Sequence, residues 1–406
     1  MNELDHRQLG NNLDLFHQQE EGPGMVFWHP RGWEIYRVIE DYIRSRMRSA
    51  GFREIRTPQL LARSLWEQSG HWEKFGENMY SLINGERAFC LKPMSCPCHV
   101  QVFKKHVRSY RDLPIRYSEF GACHRDEPSG SLQGLMRTRA FVQDDAHVFC
   151  TESHIEPEVR RFCSLLRVIY GDLGFPDFTV AFSARPAKRA GTDEVWDRAE
   201  AALSNAAERA GLDYIIQEGE GAFYGPKLEF HLTDVKGRKW QCGTVQLDLV
   251  LPERLGAEFV SESNTHEVPV MIHHAVLGSM ERFIGMLLEH YEGWLPVWMA
   301  PDQVVVASVS AASDTYANHI QHLLSNAGVR ATLDDRSERL PRKIIDAREH
   351  CVPIFLTVGK RDQENQTVSL RLRDGSQKTL NIAEAIEQIR GEALSPIFKA
   401  ASKFSP

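Results

Sequence analysis

Three charged side chains in the segment 120–147, FGACHRDEPSGSLQGLMRTRAFVQDDAH, could together bind a phosphorylated substrate. Arg125 and Glu127 precede a Pro-Ser-Gly-Ser turn at 128–131, and Arg137 follows it. A strand-loop-strand hairpin would bring the two arginines together, and guanidinium groups bind phosphates and carboxylates through paired hydrogen bonds. An ordinary solvated charged hairpin is the alternative interpretation of this spacing.

A second candidate for phosphate binding is the segment VMIHHAVLGSMERFIGMLLEHYEG, 270–293. Its apolar residues recur at helical spacing, Gly278 and Ser279 lie at the expected start of the helix, and Arg282 follows one turn later. A helix N-terminus with an arginine nearby suits an anion. The alternative is a buried helix that carries one surface arginine.

A third group of side chains has metal-binding chemistry. Its members are Cys96, Cys98, His99, His147, His273 and His274. The first three are close together in KPMSCPCHV, but a Cys-x-Cys pair without a second ligand pair is a weak zinc signal. Spacing alone therefore leaves zinc binding and simple burial of the thiols as alternatives.

The elements that must position these groups predict two domains. Helices are expected at 33–49, 151–175 and 195–211, and strands at 52–57, within 87–150, at 227–233 and at 240–250. These elements predict an α+β domain, residues 1–298, built on an antiparallel sheet with flanking helices.

The pattern changes after the two prolines of the stretch 295–301. Strands are expected at 304–310, 329–333 and 353–359, helices at 314–327, 342–350 and from 383, and a hairpin turning at Asp374-Gly375. Alternating strands and helices predict an α/β domain, residues 299–406.

Composition limits the classes of function. The 406 residues carry 48 basic and 55 acidic side chains, a net charge of −7, so any RNA partner must meet local basic patches. Eight scattered cysteines indicate reduced thiols and a cytoplasmic protein. The start at Met1 does not resemble a signal peptide, and no apolar run is long enough for a membrane span.

Six long blocks of the sequence resemble class II aminoacyl-tRNA synthetases and, in detail, the threonyl-tRNA synthetases. The blocks are GMVFWHPRGW (24–33), SGHWEKFGENM (69–79), FGACHRDEPSGSLQGLMRTRAFVQDDAHVFC (120–150), EGAFYGPKLEF (220–230), WQCGTVQLD (240–248) and MIHHAVLGSMERFIG (271–285). The resemblance extends from about residue 5 to the C-terminus. It implies a class II synthetase fold, an anticodon-binding domain, and an enzyme that joins L-threonine to threonine tRNA with ATP.

The resemblance also implies roles for the charged residues. Arg125 would hold the α-phosphate of ATP and the carboxylate of the amino acid, Glu127 would read adenine, and Arg137 and Arg282 would contact the γ-phosphate. Mg²⁺ would accompany ATP. Residues 33–58 match motif 1, which implies a homodimer.

A zinc ion, one per subunit, is implied by the positions that match the family's ligands, Cys96, His147 and His273. Three protein ligands leave room for the amino and hydroxyl groups of threonine, and Asp145 would accept the hydroxyl hydrogen. The other implied substrate-binding residues are His71, Met94, Gln143, Tyr224, Lys227, Gln241, Gln246 and Ser279.

Two local departures from the family pattern concern the zinc loop and the C-terminal domain. The sequence has Ser95-Cys96-Pro97-Cys98-His99 where the family has Asn-Cys-Pro-Gly-His, so a required positive φ at Cys98 would cause strain. Cys98 could also be an additional thiolate at the metal. The second departure is Leu340-Pro341-Arg342-Lys343 in the usual anticodon-contact helix, where the family usually carries a glycine near Pro341, and it implies an altered recognition of the anticodon.

A third departure is that the synthetase core begins within a few residues of Met1, without the N-terminal and serine-editing domains of long bacterial members. Because serine differs from threonine by one methyl group, we expect mischarging with serine. Three alternatives remain: a paralogue that adenylates threonine or an analogue for a non-tRNA acceptor, an inhibitor-resistant copy, and a non-catalytic tRNA-binding regulator.

Overall fold

The computed structural model describes residues 5–402, which form two compact units. The first unit comprises residues 19–25 and 43–283, and the second comprises residues 5–18, 26–42 and 284–402. Helix Pro30–Ser49 and helix Met280–His290 each begin in one unit and end in the other. The domain boundary between residues 298 and 299 stays a prediction.

An eight-stranded sheet is the centre of the first unit. In spatial order its strands are Tyr214–Gln217, Thr179–Ser183, Lys227–Thr233, Lys239–Asp248, Val270–Ala275, Ala140–Cys150, Ile115–His124 and Arg53–Glu54. The five inner pairings are antiparallel, and the outermost pairing at each edge is parallel. The predicted antiparallel sheet is therefore confirmed, and the two parallel edge pairings are additions to it.

The middle of this sheet is covered on both faces. Strand Ile115–His124 alternates buried and half-buried residues, whereas strand Val270–Ala275 is buried throughout. The last seven residues of strand Ala140–Cys150 are buried as well. Polar side chains on these strands must therefore find partners inside the protein, because an unpaired buried polar group is costly.

The remaining elements of the first unit surround the large sheet. Its helices are Arg63–Ser69, His71–Phe75, Cys96–Phe103, Ile155–Asp172, Asp193–Arg209 and Leu251–Arg254, with 3₁₀ turns at Gly76–Asn78, Tyr110–Asp112, Ser129–Ser131 and Glu152–His154. The smaller sheets comprise Leu60–Ala62, Arg87–Leu91 and Ser81–Asn84, and the pair Phe259–Val260 and His266–Glu267. Helix Cys96–Phe103 packs against the sheet, and the rings of Phe103 and Phe149 stack 4.4 Å apart.

The strand expected at 52–57 is shorter than predicted and comprises only Arg53–Glu54. Beyond it, the backbone N–H of Thr57 donates to the carboxylate of Glu119 at 2.7 Å, and so is not available to a strand ladder. A side-chain acceptor on a neighbouring strand thus replaces the regular pairing that the apolar pattern predicted.

The second unit contains a five-stranded sheet. Its strands are, in spatial order, Ala331–Asp334, Val304–Ser308, Ile354–Val358, Thr367–Leu372 and Gln377–Asn381, the first three parallel and the rest antiparallel. Its helices are His6–Asn12, Asp314–Asn326, Leu340–Glu349, Lys360–Asn365, Ile382–Ala393 and Pro396–Ser402, with a 3₁₀ turn at Ala311–Ser313 and a strand pair at Phe16–His17 and Phe27–Trp28. The α/β architecture predicted for the C-terminal part is confirmed.

Lys343 belongs to the interior of this second unit. Its side chain is 2% exposed, and its ammonium donates to the backbone oxygens of Ser308 at 3.0 Å and Asp334 at 2.9 Å. Arg342, in the same helix, is 58% exposed and pairs with Asp346. Of the two cations expected on the anticodon-contact helix, only Arg342 is therefore accessible to a phosphate.

Between residues 5 and 402, no helix combines the length and the apolar character needed to cross a lipid bilayer.

Candidate active site

A cavity of about 540 Å³ opens over the middle of the eight-stranded sheet. Its wall contains every predicted site residue except His71 and Lys227. These wall residues are Met94, Cys96, Arg125, Glu127, Arg137, Gln143, Asp145, His147, Tyr224, Gln241, Gln246, His273, Ser279 and Arg282. Residues more than 180 positions apart in the sequence thus share one concave surface, which is the usual form of a small-molecule site.

One part of this wall, called here the metal end, consists of Cys96, His147 and His273. All three are buried, and one donor atom from each lies within 4.8 Å of the others. His147 and His273 are directly opposite on neighbouring antiparallel strands, and Nε2 of His147 lies 3.0 Å from Nδ1 of His273. One thiol and two imidazoles arranged in this way could hold a divalent metal ion.

The outer ring nitrogens of both histidines have partners of their own. Nδ1 of His147 lies 2.8 Å from Nδ1 of His99, and Nε2 of His99 lies 3.1 Å from the carboxylate of Glu119. Nε2 of His273 lies 2.9 Å from the carboxylate of Asp248. Such second partners are a regular feature of metal-binding histidines, since they orient the ring.

Glu119 is itself firmly held. Lys92 donates to both of its oxygens, at 3.2 and 3.1 Å, and the backbone N–H and hydroxyl of Thr57 donate at 2.7 and 2.9 Å. Burial alone would raise the pKa of Glu119, but the bonds from His99 and Thr57 and the charge of Lys92 hold this pKa at about 2. The carboxylate is therefore ionised at neutral pH.

The thiol of Cys96 is in contact with His71. Nε2 of His71 lies 3.4 Å from Sγ of Cys96, and the other ring nitrogen lies 2.8 Å from the hydroxyl of Ser69. Burial lowers the pKa of His71 to about 3 and raises the pKa of Cys96. His71 is thus neutral and lies behind a thiol that needs a nearby cation to ionise.

Cys98 lies on the other side of the helix that begins at Cys96. It packs with Trp66, Met79 and Cys90, away from the metal end, and burial raises the pKa of its thiol to about 11. Its residue is part of helix Cys96–Phe103 and does not have a positive φ. The strain considered for Cys98 is absent, and the structure does not place its thiol among the clustered donor atoms.

Asp145, Tyr224 and Gln246 lie next to the metal end. Oδ1 of Asp145 is 3.8 Å from Nε2 of His147, and burial raises the pKa of Asp145 to about 7. The ring of Tyr224 stacks on that of His273 at 4.8 Å, and its hydroxyl donates to Gln246 at 2.6 Å. These polar groups could orient a small ligand bound at the metal end.

The opposite part of the wall, the arginine end, consists of Arg125, Arg137 and Arg282. Nε of Arg125 donates to the backbone oxygen of Pro93 at 3.2 Å, and Nε of Arg282 donates to that of Met136 at 3.0 Å. Within residues 5–402, neither Arg125 nor Arg282 forms an ion pair with a carboxylate. Both guanidinium groups could therefore bind an anionic ligand.

Arg137 differs because it is 53% exposed and forms an ion pair with Glu127 at 2.8 Å. The backbone oxygen of Glu127 in turn accepts from Arg139 at 2.8 Å. The hairpin predicted between residues 125 and 137 thus brings its charged side chains together as expected.

The loop that leads to Arg282 is held by Asp144. Its carboxylate accepts the backbone N–H groups of Val276, Leu277 and Gly278, each at 2.8 Å. Gly278 has a φ of +79°, and an added Cβ would lie 2.7 Å from the backbone oxygen of Cys242. This close approach requires a glycine, and the loop presents Ser279 and Arg282 to the cavity.

Lys227 does not line the cavity, although it pairs in the sheet with Gln246, which does. Its ammonium forms an ion pair with Glu229. Together with His71, it is one of the two predicted site residues that do not line the cavity.

Several residues that support the site were missed by the sequence reasoning. They are Thr57, Lys92, Glu119, Asp144 and Asp248, and His99 was considered only as a possible direct ligand. The spacing of His99 three residues after Cys96 was a usable signal, because helical residues i and i+3 share a face. The pairings of Glu119 and Asp248 depend on strand neighbours and had no local signal.

The geometry agrees with comparisons to known families. The profile described as "tRNA synthetase class II core domain (G, H, P, S and T)" matches residues 80–291, and the profile described as "Anticodon binding domain" matches residues 303–392. The chain belongs to the class II tRNA synthetase core family, and the predicted fold class is confirmed.

Among its relatives are proteins named threonine--tRNA ligase. That of Rhodospirillum rubrum is 52% identical over 401 residues, which cover 98% of this chain and 62% of the relative. That of Caulobacter vibrioides is 54% identical, covering 97% of this chain and 60% of the relative. This chain therefore spans about three-fifths of the length of these curated relatives.

A solved structure described as the RNA binding domain of threonyl-tRNA synthetase from Cryptosporidium parvum Iowa II is also similar. It has a TM-score of 0.94 and 39% identity, and the match covers 97% of this chain and 100% of the other. The resemblance inferred from the sequence blocks is confirmed.

Proposed function

We propose that the chain is a threonine–tRNA ligase that activates L-threonine with ATP and transfers it to threonine tRNA. The observation that carries the proposal is one cavity in which the buried Cys/His/His cluster faces three arginines. The names of the relatives, at 52% and 54% identity, support it further.

The arginine end suits the first half-reaction. In that step an oxygen of the threonine carboxylate attacks the α-phosphorus of ATP, and pyrophosphate leaves. Arg125 would bind the α-phosphate and the carboxylate, and Arg137 and Arg282 would bind the γ-phosphate. No side-chain nucleophile is needed, because catalysis consists of positioning the reactants and stabilising negative charge.

Two further features of this end would complete the ATP site. Glu127 would read adenine, and its exposed ion pair with Arg137 is weak enough to rearrange when the nucleotide binds. Mg²⁺ bound with ATP would neutralise phosphate charge.

The metal end fits a zinc ion held by Cys96, His147 and His273, because two imidazoles with bonded outer nitrogens and one thiol are a zinc donor set. When bound, zinc supplies a Lewis-acid centre open to the amino and hydroxyl groups of threonine. Asp145, at the edge of this cluster, would accept the hydroxyl hydrogen. A site built to engage a hydroxyl rejects valine, which lacks it.

The remaining proposed substrate contacts fall into two groups. Met94, Gln143, Tyr224, Gln241, Gln246 and Ser279 belong to the cavity wall and would contact the substrates directly. His71 and Lys227 do not line the cavity, but His71 contacts Cys96 and Lys227 pairs in the sheet with Gln246. We propose that they act close to the substrate or the tRNA end.

Several coarser proposals accompany the activity. The C-terminal domain, residues 299–406, would bind the anticodon, with Arg342 as one accessible cation. The motif 1 segment, residues 33–58, contains the edge strand Arg53–Glu54 and would form the homodimer interface. The cytoplasm is the proposed location, since eight scattered cysteines indicate reduced thiols.

Threonine-dependent ATP–pyrophosphate exchange, followed by charging of threonine tRNA, tests the proposal. We expect both activities, and we expect a zinc chelator to abolish exchange. Exchange without charging would favour a non-tRNA acceptor instead. Absence of exchange in a zinc-loaded, folded chain would overturn the proposal and favour a non-catalytic RNA-binding protein.

A further inference from the structure

The hydrogen bonds around Glu119 determine which nitrogen of His99 carries a proton. Lys92 and Thr57 both donate to the Glu119 carboxylate, so this group is an acceptor only. Nε2 of His99, 3.1 Å away, must therefore be the donor. A doubly protonated His99 would place a second buried cation beside Lys92, so the ring is neutral and Nδ1 carries a lone pair.

The lone pair on His99 in turn determines the protonation of His147. Since Nδ1 of His99 accepts, Nδ1 of His147 must donate across the 2.8 Å that separates the two atoms. Nε2 of a neutral His147 is then left with a lone pair, and this atom faces the metal end.

The tautomer of His273 is set by a single hydrogen bond to a carboxylate, that of Asp248. One oxygen of Asp248 accepts the backbone N–H groups of Val250 and Leu251 at 2.7 and 2.9 Å. Its other oxygen lies 2.9 Å from Nε2 of His273, which must donate. Nδ1 of His273 therefore also carries a lone pair. This atom lies 3.0 Å from Nε2 of His147.

Two lone pairs at this distance repel each other unless a cation lies near both. We propose that His99 and Glu119, with Glu119 held by Lys92 and Thr57, are positioning residues that set the tautomer of His147 for metal binding. This inference rests on the proposed metal site and deepens it. It implies that the segment containing Thr57 contributes to metal affinity although none of its atoms reaches the cluster.

Zinc affinity of the full chain tests the inference. Zn²⁺ is titrated against a chromophoric chelator for the wild type and for the variants Glu119→Gln, His99→Leu and His99→Asn. We expect Glu119→Gln and His99→Leu to bind zinc about 10- to 100-fold more weakly, which is the usual effect of losing a second partner. His99→Asn should recover most of the affinity, because its amide oxygen can accept from Nδ1 of His147.

Glu158→Gln is the matched control. Glu158 is another buried carboxylate of the same unit, and its partner is Arg116, at 2.6 Å, and not a histidine of the metal end. We expect its zinc affinity to equal that of the wild type. If Glu119→Gln does not fold, the His99 pair carries the test, and ¹⁵N shifts of labelled histidines report the tautomer of His147 directly.

Three results would overturn the inference. Wild-type affinity in folded His99→Leu would remove the role of His99. Equal loss in His99→Leu and His99→Asn would show that an acceptor at this position is not what matters. A wild-type chain that binds no zinc would overturn the proposed metal site as well, which distinguishes the two failures.

Discussion

The two ends of the cavity carry opposite charges: carboxylates lie behind the metal end, and arginines form the other end. At the metal end, the outer nitrogens of both histidines lead to the buried carboxylates of Glu119 and Asp248, so negative charge is already in place for a cation. At the arginine end, Arg125 and Arg282 bond only to neutral backbone oxygens within the described chain. The proposed metal cation would neutralise one end, whereas an anionic substrate would complete the other.

This difference also predicts rigidity. The metal end is buried, and hydrogen bonds to His99 and Asp248 hold its two histidines in place. Its geometry should therefore exist before the substrate binds. At the arginine end, Arg137 is half-exposed and its ion pair with Glu127 can exchange for phosphate oxygens. Selection of the amino acid should therefore depend on the metal end, and the rate of activation should depend on the arginine end.

The largest expected effect is discrimination at the metal end. We expect threonine to be activated about 10⁴- to 10⁵-fold more efficiently than valine, because valine would leave hydroxyl-binding groups unpaired. Serine, which retains the hydroxyl, should be disfavoured only about 10- to 200-fold. ATP–pyrophosphate exchange with the three amino acids measures these ratios. Valine activation as efficient as that of serine would contradict this role of the metal end.

A smaller loss is expected when the arginine end is broken. Arg125→Ala should lower kcat for activation by about 10²- to 10³-fold, since a preorganised donor to the reacting phosphate is removed. Exchange kinetics over a range of ATP concentrations measure this loss. Arg198→Ala is the control, because Arg198 is 62% exposed and pairs with an exposed glutamate. Equal activity in the two variants would refute the role of Arg125.

The smallest of the expected effects concerns stability. Asp144→Ala leaves two buried backbone N–H groups and one half-buried one without an acceptor, so the free energy of unfolding should fall by about 3 kcal/mol. Arg137→Ala removes only an exposed ion pair and should change it by less than about 1 kcal/mol. Urea unfolding compares the two variants, and similar midpoints would show that Asp144 does not hold the loop.

Many helices and strands could be predicted, because the spacing of apolar residues that indicates them is visible within a short stretch of sequence. Helix Asp193–Arg209 and strands Lys227–Thr233 and Lys239–Asp248 lie close to their predicted ranges. The edge strand Tyr214–Gln217 and its parallel neighbour Thr179–Ser183 were missed, because pairing with a distant strand, and not the local pattern, defines them.

The sequence predicted which residues belong to the candidate site better than it predicted the contacts of each residue. The sequence blocks identified Cys96, His147 and His273, which the fold then brought together. His99 was interpreted as a possible ligand, but its nitrogens lie between His147 and Glu119. The same blocks selected His71 and Lys227 as substrate contacts; neither lines the cavity, but His71 contacts Cys96 and Lys227 pairs with Gln246, and both of these do.

The sequence by itself determined the residue types, the helical and strand periods and the family to which the chain belongs. Only the tertiary structure decided which atoms meet. His147 and His273 face each other because the register of two antiparallel strands, far apart in the sequence, makes them direct partners. That register results from burial over the whole sheet, and so no local pattern could reveal that Glu119 and Asp248 orient the two imidazoles.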